Sequence, residues 1–374
     1  MKPESKREET ARLDDLASGA MGLEKETAAA MKSGKATRSL SLWIKYLLPV
    51  VLTVLLVWYM FSKVDFGQMM EILRGDVAYQ WILLAMGISV VSHVVRAARW
   101  RLQLRWLGIE VPFMTLCCSI FGCYSLNLVI PRGGELWRCT YIASRGKAPF
   151  TTVLGSLVGD RLTDTLTVLC LTLLTFIVAN GAINSFLERY PIGRDLLATA
   201  TNPTVWIGVI GLAAAVVALF YFLRDRGAVK KLRGWLLELW AGFASLWKME
   251  GRIKFLALTL GIWGCYYLQL YVAFYAFGFT KALCLEPGTA FGLTPCLVAF
   301  VLSAIGMAIP SNGGLGPWNI AVMFGLSVYG ISDAEGTAFS MLQWSGQTVM
   351  LILLGIFTMI YVSINRKPEI KKNV

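Results

Sequence analysis

The apolar positions of this chain gather into long continuous blocks, at roughly 44–62, 80–104, 113–130, 150–179, 203–223, 254–279, 289–309, 318–330 and 337–363. Apolar and polar residues do not alternate within them, which argues for helices and against barrel strands. A helix rises about 1.5 Å per residue, so about 20 apolar residues cross the hydrocarbon core of a bilayer. Most blocks are that long, while 318–330 supplies only about half a crossing. The fold class this predicts is all-α, a polytopic bundle of membrane helices. Ahead of the first block, residues 1–40 mix Lys2, Lys6, Arg7 and Arg12 with Glu4, Glu8, Glu9 and Asp14, and hold nothing that would build a core. A disordered tail is expected there.

Charge between the blocks sets the expected topology. Arg96, Arg99, Arg101 and Arg105 close the second block and read as a headgroup anchor that marks the cytoplasmic face. The segment 224–254, with Arg224, Arg226, Lys230, Lys231, Arg233, Lys248, Arg252 and Lys254, reads the same way, as does the tail with Arg366, Lys367, Lys371 and Lys372. If 113–130 crossed completely, Arg132, Arg138, Arg145 and Lys147 would be stranded outside. The conflict disappears if 113–130 turns at Pro131-Arg132-Gly133-Gly134 and returns, and if 289–309 enters from outside, turns at Pro310-Ser311-Asn312-Gly313-Gly314 and returns through 318–330. The expectation is about six full spans plus two oppositely oriented re-entrant hairpins, an arrangement like an inverted repeat. One membrane domain over 41–366 is then flanked by cytoplasmic tails at 1–40 and 367–374. Within it, 228–250 is expected to be an amphipathic helix lying on anionic lipid.

Backbone that leaves its helix at membrane depth needs polar partners, so the two glycine turns imply a polar cavity between them. Gly133, Gly134, Ser311, Asn312, Gly313 and Gly314 would line it, with N–H groups and helix N-termini suited to an anion. Arg132 and Arg138 flank Glu135 and carry the donors to hold a phosphate. Asp160 and Asp164 stand at i, i+4 within the 150–179 helix, with Arg161 adjacent. From Thr151 to Asp160 is nine steps along the helix, about 14 Å of rise, which is near mid-membrane. Ionisable groups at that depth are either paired internally or functional. Arg132, Glu135, Arg138, Asp160, Arg161 and Asp164 are therefore the candidate lipid-headgroup site, although a salt bridge from Asp160 to Arg132 or Arg138 fits equally. Gln343 and Gln347, another i, i+4 pair, suit interhelical hydrogen bonding or a cavity wall, and Tyr267 on the polar flank of 254–279 offers the same two roles.

Composition narrows the classes that remain. Only 16% of residues are charged and 56% are hydrophobic, so the net charge of +12 reflects loops between spans and does not point to nucleic acid. Eight cysteines fall mostly in apolar blocks without metal-ligand spacing, and a lone His93 makes no metal site. The chain shows no phosphate-binding Walker loop, dinucleotide fingerprint, zinc-protease motif or nucleophile elbow. No enzyme activity, cofactor or metal is expected.

Three segments carry a family resemblance: Leu128-Val129-Ile130-Pro131-Arg132-Gly133-Gly134-Glu135-Leu136-Trp137-Arg138, Gly159-Asp160-Arg161-Leu162-Thr163-Asp164, and Ala308-Ile309-Pro310-Ser311-Asn312-Gly313-Gly314-Leu315-Gly316. In these the chain resembles the lysylphosphatidylglycerol synthase transmembrane (flippase-like) family, over roughly 40–366. The resemblance implies an eight-element membrane domain associated with moving lipids between leaflets. In the multiple peptide resistance factors that domain is joined to a soluble aminoacyltransferase. With about ten residues after its last block, this chain is expected to stand alone without it. The chain departs from the family pattern in two places: Trp318-Asn319 stands where members often have an Arg-Glu pair, and Asp160 where they usually have a Glu. The expected function is flippase-like movement of a phospholipid or an isoprenoid-linked lipid. A non-transporting accessory role beside an envelope-biosynthesis protein is the alternative. The expected location is the bacterial cytoplasmic (inner) membrane, with both termini inside.

Overall fold

A computed structural model describes residues 66–181 and 250–365, together with the isolated Pro203 and Ile207. The expected blocks 44–62 and 203–223, the amphipathic segment 228–250 and both tails lie wholly or almost wholly outside the described residues. Every regular element within them is helical: α1 (Phe66–Arg74), α2 (Tyr79–Trp106), α3 (Phe113–Val129), α4 (Gly133–Gly146), α5 (Phe150–Val178), α6 (Arg252–Ala273), α7 (Gly278–Leu285), α8 (Leu293–Gly306), α9 (Pro317–Ser327) and α10 (Asp333–Ile364). Short 3-10 turns occupy Phe274–Ala276, Pro287–Thr289 and Asn312–Gly314.

Five stretches among the described residues are long and apolar enough to cross a membrane: Tyr79–Trp106, Phe150–Val178, Arg252–Ala276, Pro287–Gly306 and Asp333–Ile364. Their outward faces carry large apolar side chains such as Leu83, Leu169, Leu173, Ile253, Leu260, Met359 and Ile364. A soluble bundle would bury these, whereas lipid solvates them. The protein is an all-α, multi-pass membrane protein.

Helix ends follow local chemistry. Ser332 caps α10, its Oγ accepting from the Glu335 N–H at 3.3 Å while Glu335 Oε2 accepts from the Ser332 N–H at 3.0 Å. This reciprocal box starts the helix at Asp333, four residues before the apolar block begins. Ser332→Ala is expected to lower stability by about 1 kcal/mol, read as a fall in thermal midpoint in detergent. The block 254–279 is not one helix. α6 gives way to the Phe274–Ala276 turn, Phe277 is extended, and α7 begins anew at Gly278. The block 289–309 also starts late, because Ala290, Phe291 and Gly292 take the left-handed conformation and α8 begins only at Leu293.

Two hydrophobic cores sit at opposite ends of α2. The N-terminal half of α2, through Ile82 and Ala85, packs with Leu270 and Phe274, with Cys296 and Ala299 of α8, with Val322 and Leu326 of α9, and with Phe339. The C-terminal half, through Ala97, Trp100 and Leu104, packs with Leu116 and Ile120 of α3, Cys139 and Ile142 of α4, and Val153 and Leu157 of α5. Each core is thus built around one helical hairpin, α8–α9 or α3–α4.

The hairpins close tightly because glycine stands where two backbones meet. A Cβ on Gly134 would collide with the Cys123 carbonyl, and one on Gly325 would lie 2.6 Å from the Cα of Ala299. At the far end of α4, Gly146 lies against Ile109 and Val111, so α4 returns to the end of the bundle where α3 began. The two hairpin tips meet. Arg132 Nη2 donates to the Ala308 carbonyl at 3.3 Å, and Asn312 Nδ2 donates back to the Val129 carbonyl at 3.3 Å. Trp344 Nε1, from α10, holds the Gly313 carbonyl at 2.9 Å. Arg132 adopts the left-handed conformation, with φ of 59°, unusual for a residue with a side chain. α3 and α8 are about 25 and 21 Å long, while α10, which packs on α3 and α9, runs roughly 48 Å.

Candidate functional site

Arg96 and Arg99 are three residues apart on α2 and share one helical face; Asp160 and Asp164 are four apart on α5 and share another. The α2–α5 contact turns these faces toward each other. Arg96 Nη1 lies 2.7 Å from Asp164 Oδ2 and 3.3 Å from Asp160 Oδ2. Arg99 Nη2 lies 2.7 Å from Asp160 Oδ1 and 2.8 Å from Asp164 Oδ1, and its Nε adds a 3.0 Å bond to Asp160 Oδ1. The remaining donor of Arg99, Nη1, reaches Thr259 Oγ1 on α6 at 3.2 Å. Beside the cluster, Trp100 Nε1 donates to Ser156 Oγ at 3.0 Å, fastening α2 to α5 once more.

This corrects one sequence reading. Arg96 and Arg99 are no headgroup anchor, being 2% and 0% exposed inside an ion-pair network. Arg105 is exposed and Arg101 rests over the Phe113 ring, so the surface charge at this end of α2 comes from those two. The physical reason is depth. Arg96 lies ten residues, about 15 Å, before Trp106, the same distance as Asp160 lies beyond Phe150. At that depth a guanidinium must find a carboxylate, because lipid offers none.

Arg138 approaches from α4. It is completely buried, its guanidinium stacked 3.7 Å from the centroid of the Trp100 ring. The nearest carboxylate oxygen, Asp160 Oδ2, is 3.9 Å from its Nη2, and none of its three nitrogens makes a hydrogen bond. Arg161 turns the other way, pairing Nη2 with Glu135 Oε1 at 2.5 Å and approaching Asp164 at 3.9 Å. That pair is partly exposed, at 35% and 26%. His93, one turn before Arg96, is buried against Tyr124 with both ring nitrogens unpartnered, and Tyr266 faces Arg96 at 5.9 Å.

Of the residues expected to form the site, Glu135, Arg138, Asp160, Arg161 and Asp164 come together. Arg132 does not join them; it bonds across the hairpin tips, where Gly133, Gly134, Ser311, Asn312, Gly313 and Gly314 also lie. Gln347 Nε2 donates to Ser89 Oγ at 2.8 Å, the interhelical bond its spacing suggested. Gln343 is buried near the start of α10, with its Oε1 unpartnered. Tyr267 donates to the Leu293 carbonyl at 2.8 Å, in the other core. Asn319, one of the two family departures, is buried and accepts from the Gly316 N–H at 3.1 Å, a backbone role at the start of α9. No group of His, Cys, Asp or Glu suited to a metal occurs among the described residues.

A membrane bundle whose interior holds paired arginines and aspartates at mid-depth, beside two touching hairpins, is the class of protein that fold and site define. Comparison with known proteins then gives the family. Residues 46–355 match the lysylphosphatidylglycerol synthase TM region, and the chain belongs to that family. A UPF0104 membrane protein of Pyrococcus horikoshii is 24% identical over 80% of this chain and 91% of its own length. One of Methanothermobacter thermautotrophicus is 22% identical over 79% and 89%. The glycosyltransferase AglD of Haloferax volcanii is 23% identical over 87% of this chain, which spans only 55% of that protein's length. No solved structure matches.

Proposed function

We propose that this chain is a flippase-like lipid transporter that moves a phosphate-bearing lipid between leaflets, taking the headgroup through the bundle while the acyl chains stay in lipid. The observation that carries this reading is Arg138, a guanidinium buried at membrane depth with no hydrogen bond of its own. A buried cation left without partners is disfavoured, and a phosphate supplies the missing acceptors in bidentate geometry. Arg161 and Glu135, partly exposed beside it, would form the approach. Glu135 and the two aspartates would orient the arginines. In this reading both termini are cytoplasmic, α3–α4 re-enters from the cytoplasmic side and α8–α9 from the other, as expected for a cytoplasmic (inner) membrane protein. Catalysis is not part of the proposal, since Asp160 and Asp164 are both gripped by two guanidiniums and neither is free to act as a base.

The test is translocation of an acyl-labelled fluorescent phospholipid in proteoliposomes, read by quenching of the outer leaflet. Arg138→Ala is expected to slow protein-dependent movement by about tenfold or more, the loss of a charge-assisted contact. An unchanged rate would remove Arg138 from the path. A second reading follows from the similarity to AglD, which is named a glycosyltransferase. The chain would then be an accessory membrane subunit for glycan or envelope-lipid synthesis, with an isoprenoid-linked lipid as its ligand. Copurification of a stable partner enzyme, with no lipid movement by the chain alone, would favour that reading.

A further inference from the structure

We infer that the buried cluster selects its ligand by charge, accepting a phosphodiester with one net negative charge over zwitterionic, cationic or doubly anionic headgroups. This rests on the headgroup-binding reading above and names the chemical class that reading leaves open. Among the described residues, the buried charged side chains are Arg96, Arg99 and Arg138 against Asp160 and Asp164, with one positive charge left over. The flanking Arg161–Glu135 pair is neutral as a unit and leaves that remainder unchanged.

The remainder belongs to Arg138. Arg96 and Arg99 each bond both aspartates at 2.7–3.3 Å, whereas among the described residues Arg138 has only the 3.9 Å approach to Asp160. One face of its guanidinium is covered by Trp100, so a ligand must be met at the edge, where the N–H donors lie. A phosphodiester brings two unesterified oxygens to that edge and one negative charge, which leaves the cluster neutral. A phosphomonoester overshoots to a net negative interior. A zwitterionic headgroup carries its own cation in and leaves the remainder in place, and a lysylated headgroup adds to it. In a medium that penalises net charge, these differences set the preference.

The test titrates the purified full chain, in neutral detergent at about pH 8, with short-chain phosphatidylglycerol, phosphatidylcholine, lysyl-phosphatidylglycerol and phosphatidate. At that pH the phosphatidate carries close to two negative charges. Glycerophosphoglycerol, the same diester without acyl chains, is the soluble probe, and binding is read by calorimetry. Phosphatidylglycerol is expected to bind about tenfold tighter than the other three lipids. Arg138→Lys should keep that order, and Arg138→Gln should bring phosphatidylglycerol and phosphatidylcholine within about twofold. Glu135→Gln leaves two positive charges and should move the preference to phosphatidate, so the rule stays testable even if Arg138→Gln does not fold. Equal binding of phosphatidylglycerol and phosphatidylcholine by the unaltered chain overturns the charge rule, as does an order unchanged in Arg138→Gln. Tight binding of glycerophosphoglycerol alone keeps the rule but sinks the lipid-transport reading. Binding of none of these probes sinks both.

Discussion

Replacing Asp160 with alanine is expected to destabilise the folded chain by about 3–5 kcal/mol, the range for removing one partner of a buried ion pair. The side chain is fully buried and accepts from Arg96 and from two nitrogens of Arg99. Without it, Asp164 alone would serve both arginines, and Arg138 would lose its one carboxylate neighbour among the described residues. The penalty arises from charges stranded at a depth where water does not reach, more than from the bonds themselves. Thermal unfolding of detergent-solubilised protein, followed by loss of the monodisperse species, would measure it. An unaltered midpoint would mean that the network is open to water. The double variant Arg99→Leu with Asp160→Leu should recover part of the loss, because removing both charges removes the stranding.

The second large effect is expected at Gly134. Any Cβ there would overlap the Cys123 carbonyl, a backbone atom inside α3 that cannot swing aside as a side chain would. Gly134→Val should therefore splay the α3–α4 hairpin and cost about 3 kcal/mol or more. A matched control lies on α5. Gly155 has nothing within 4 Å of its missing Cβ, so Gly155→Ala should be neutral or should stabilise through helix propensity, by up to about 1 kcal/mol. Comparable losses in both variants would show that general sensitivity of the bundle, and not the hairpin contact, is being measured.

Much of this arrangement was legible in the residues. Continuous apolar blocks fixed the helices α2, α5 and α10 to within a few residues, because lipid leaves the chain no other way to satisfy its backbone. Pro131-Arg132-Gly133-Gly134 and Pro310-Ser311-Asn312-Gly313-Gly314 marked both turns, since proline and paired glycine end helices on their own account. The i, i+4 spacing of Asp160 and Asp164 inside an apolar helix marked the site. Their partners Arg96 and Arg99 were hidden by standing in a run with Arg101 and Arg105, because a run of arginines closing an apolar block reads as a headgroup anchor. The corrective signal was present: the block 80–104 already enclosed both, and their i, i+3 spacing gives them one face. The stacking of Arg138 on Trp100 was not legible, because it depends on how α4 returns beside α2. The box of Ser332 and Glu335 was there to be read, as a serine three residues before a glutamate ahead of an apolar run.

The meeting of the two tips has a consequence for the height of the barrier. On the re-entrant reading proposed above, the partition between the two sides narrows to the Arg132–Ala308 and Asn312–Val129 contacts, steadied by Trp344. Each neutral bond of this kind is worth about 1 kcal/mol net, and the one from arginine roughly twice that. Parting them is a small expense beside carrying an unshielded ion through hydrocarbon. Under that proposal a septum of this thickness would open on thermal energy, and it would reseal because the same donors and carbonyls stay within reach of each other.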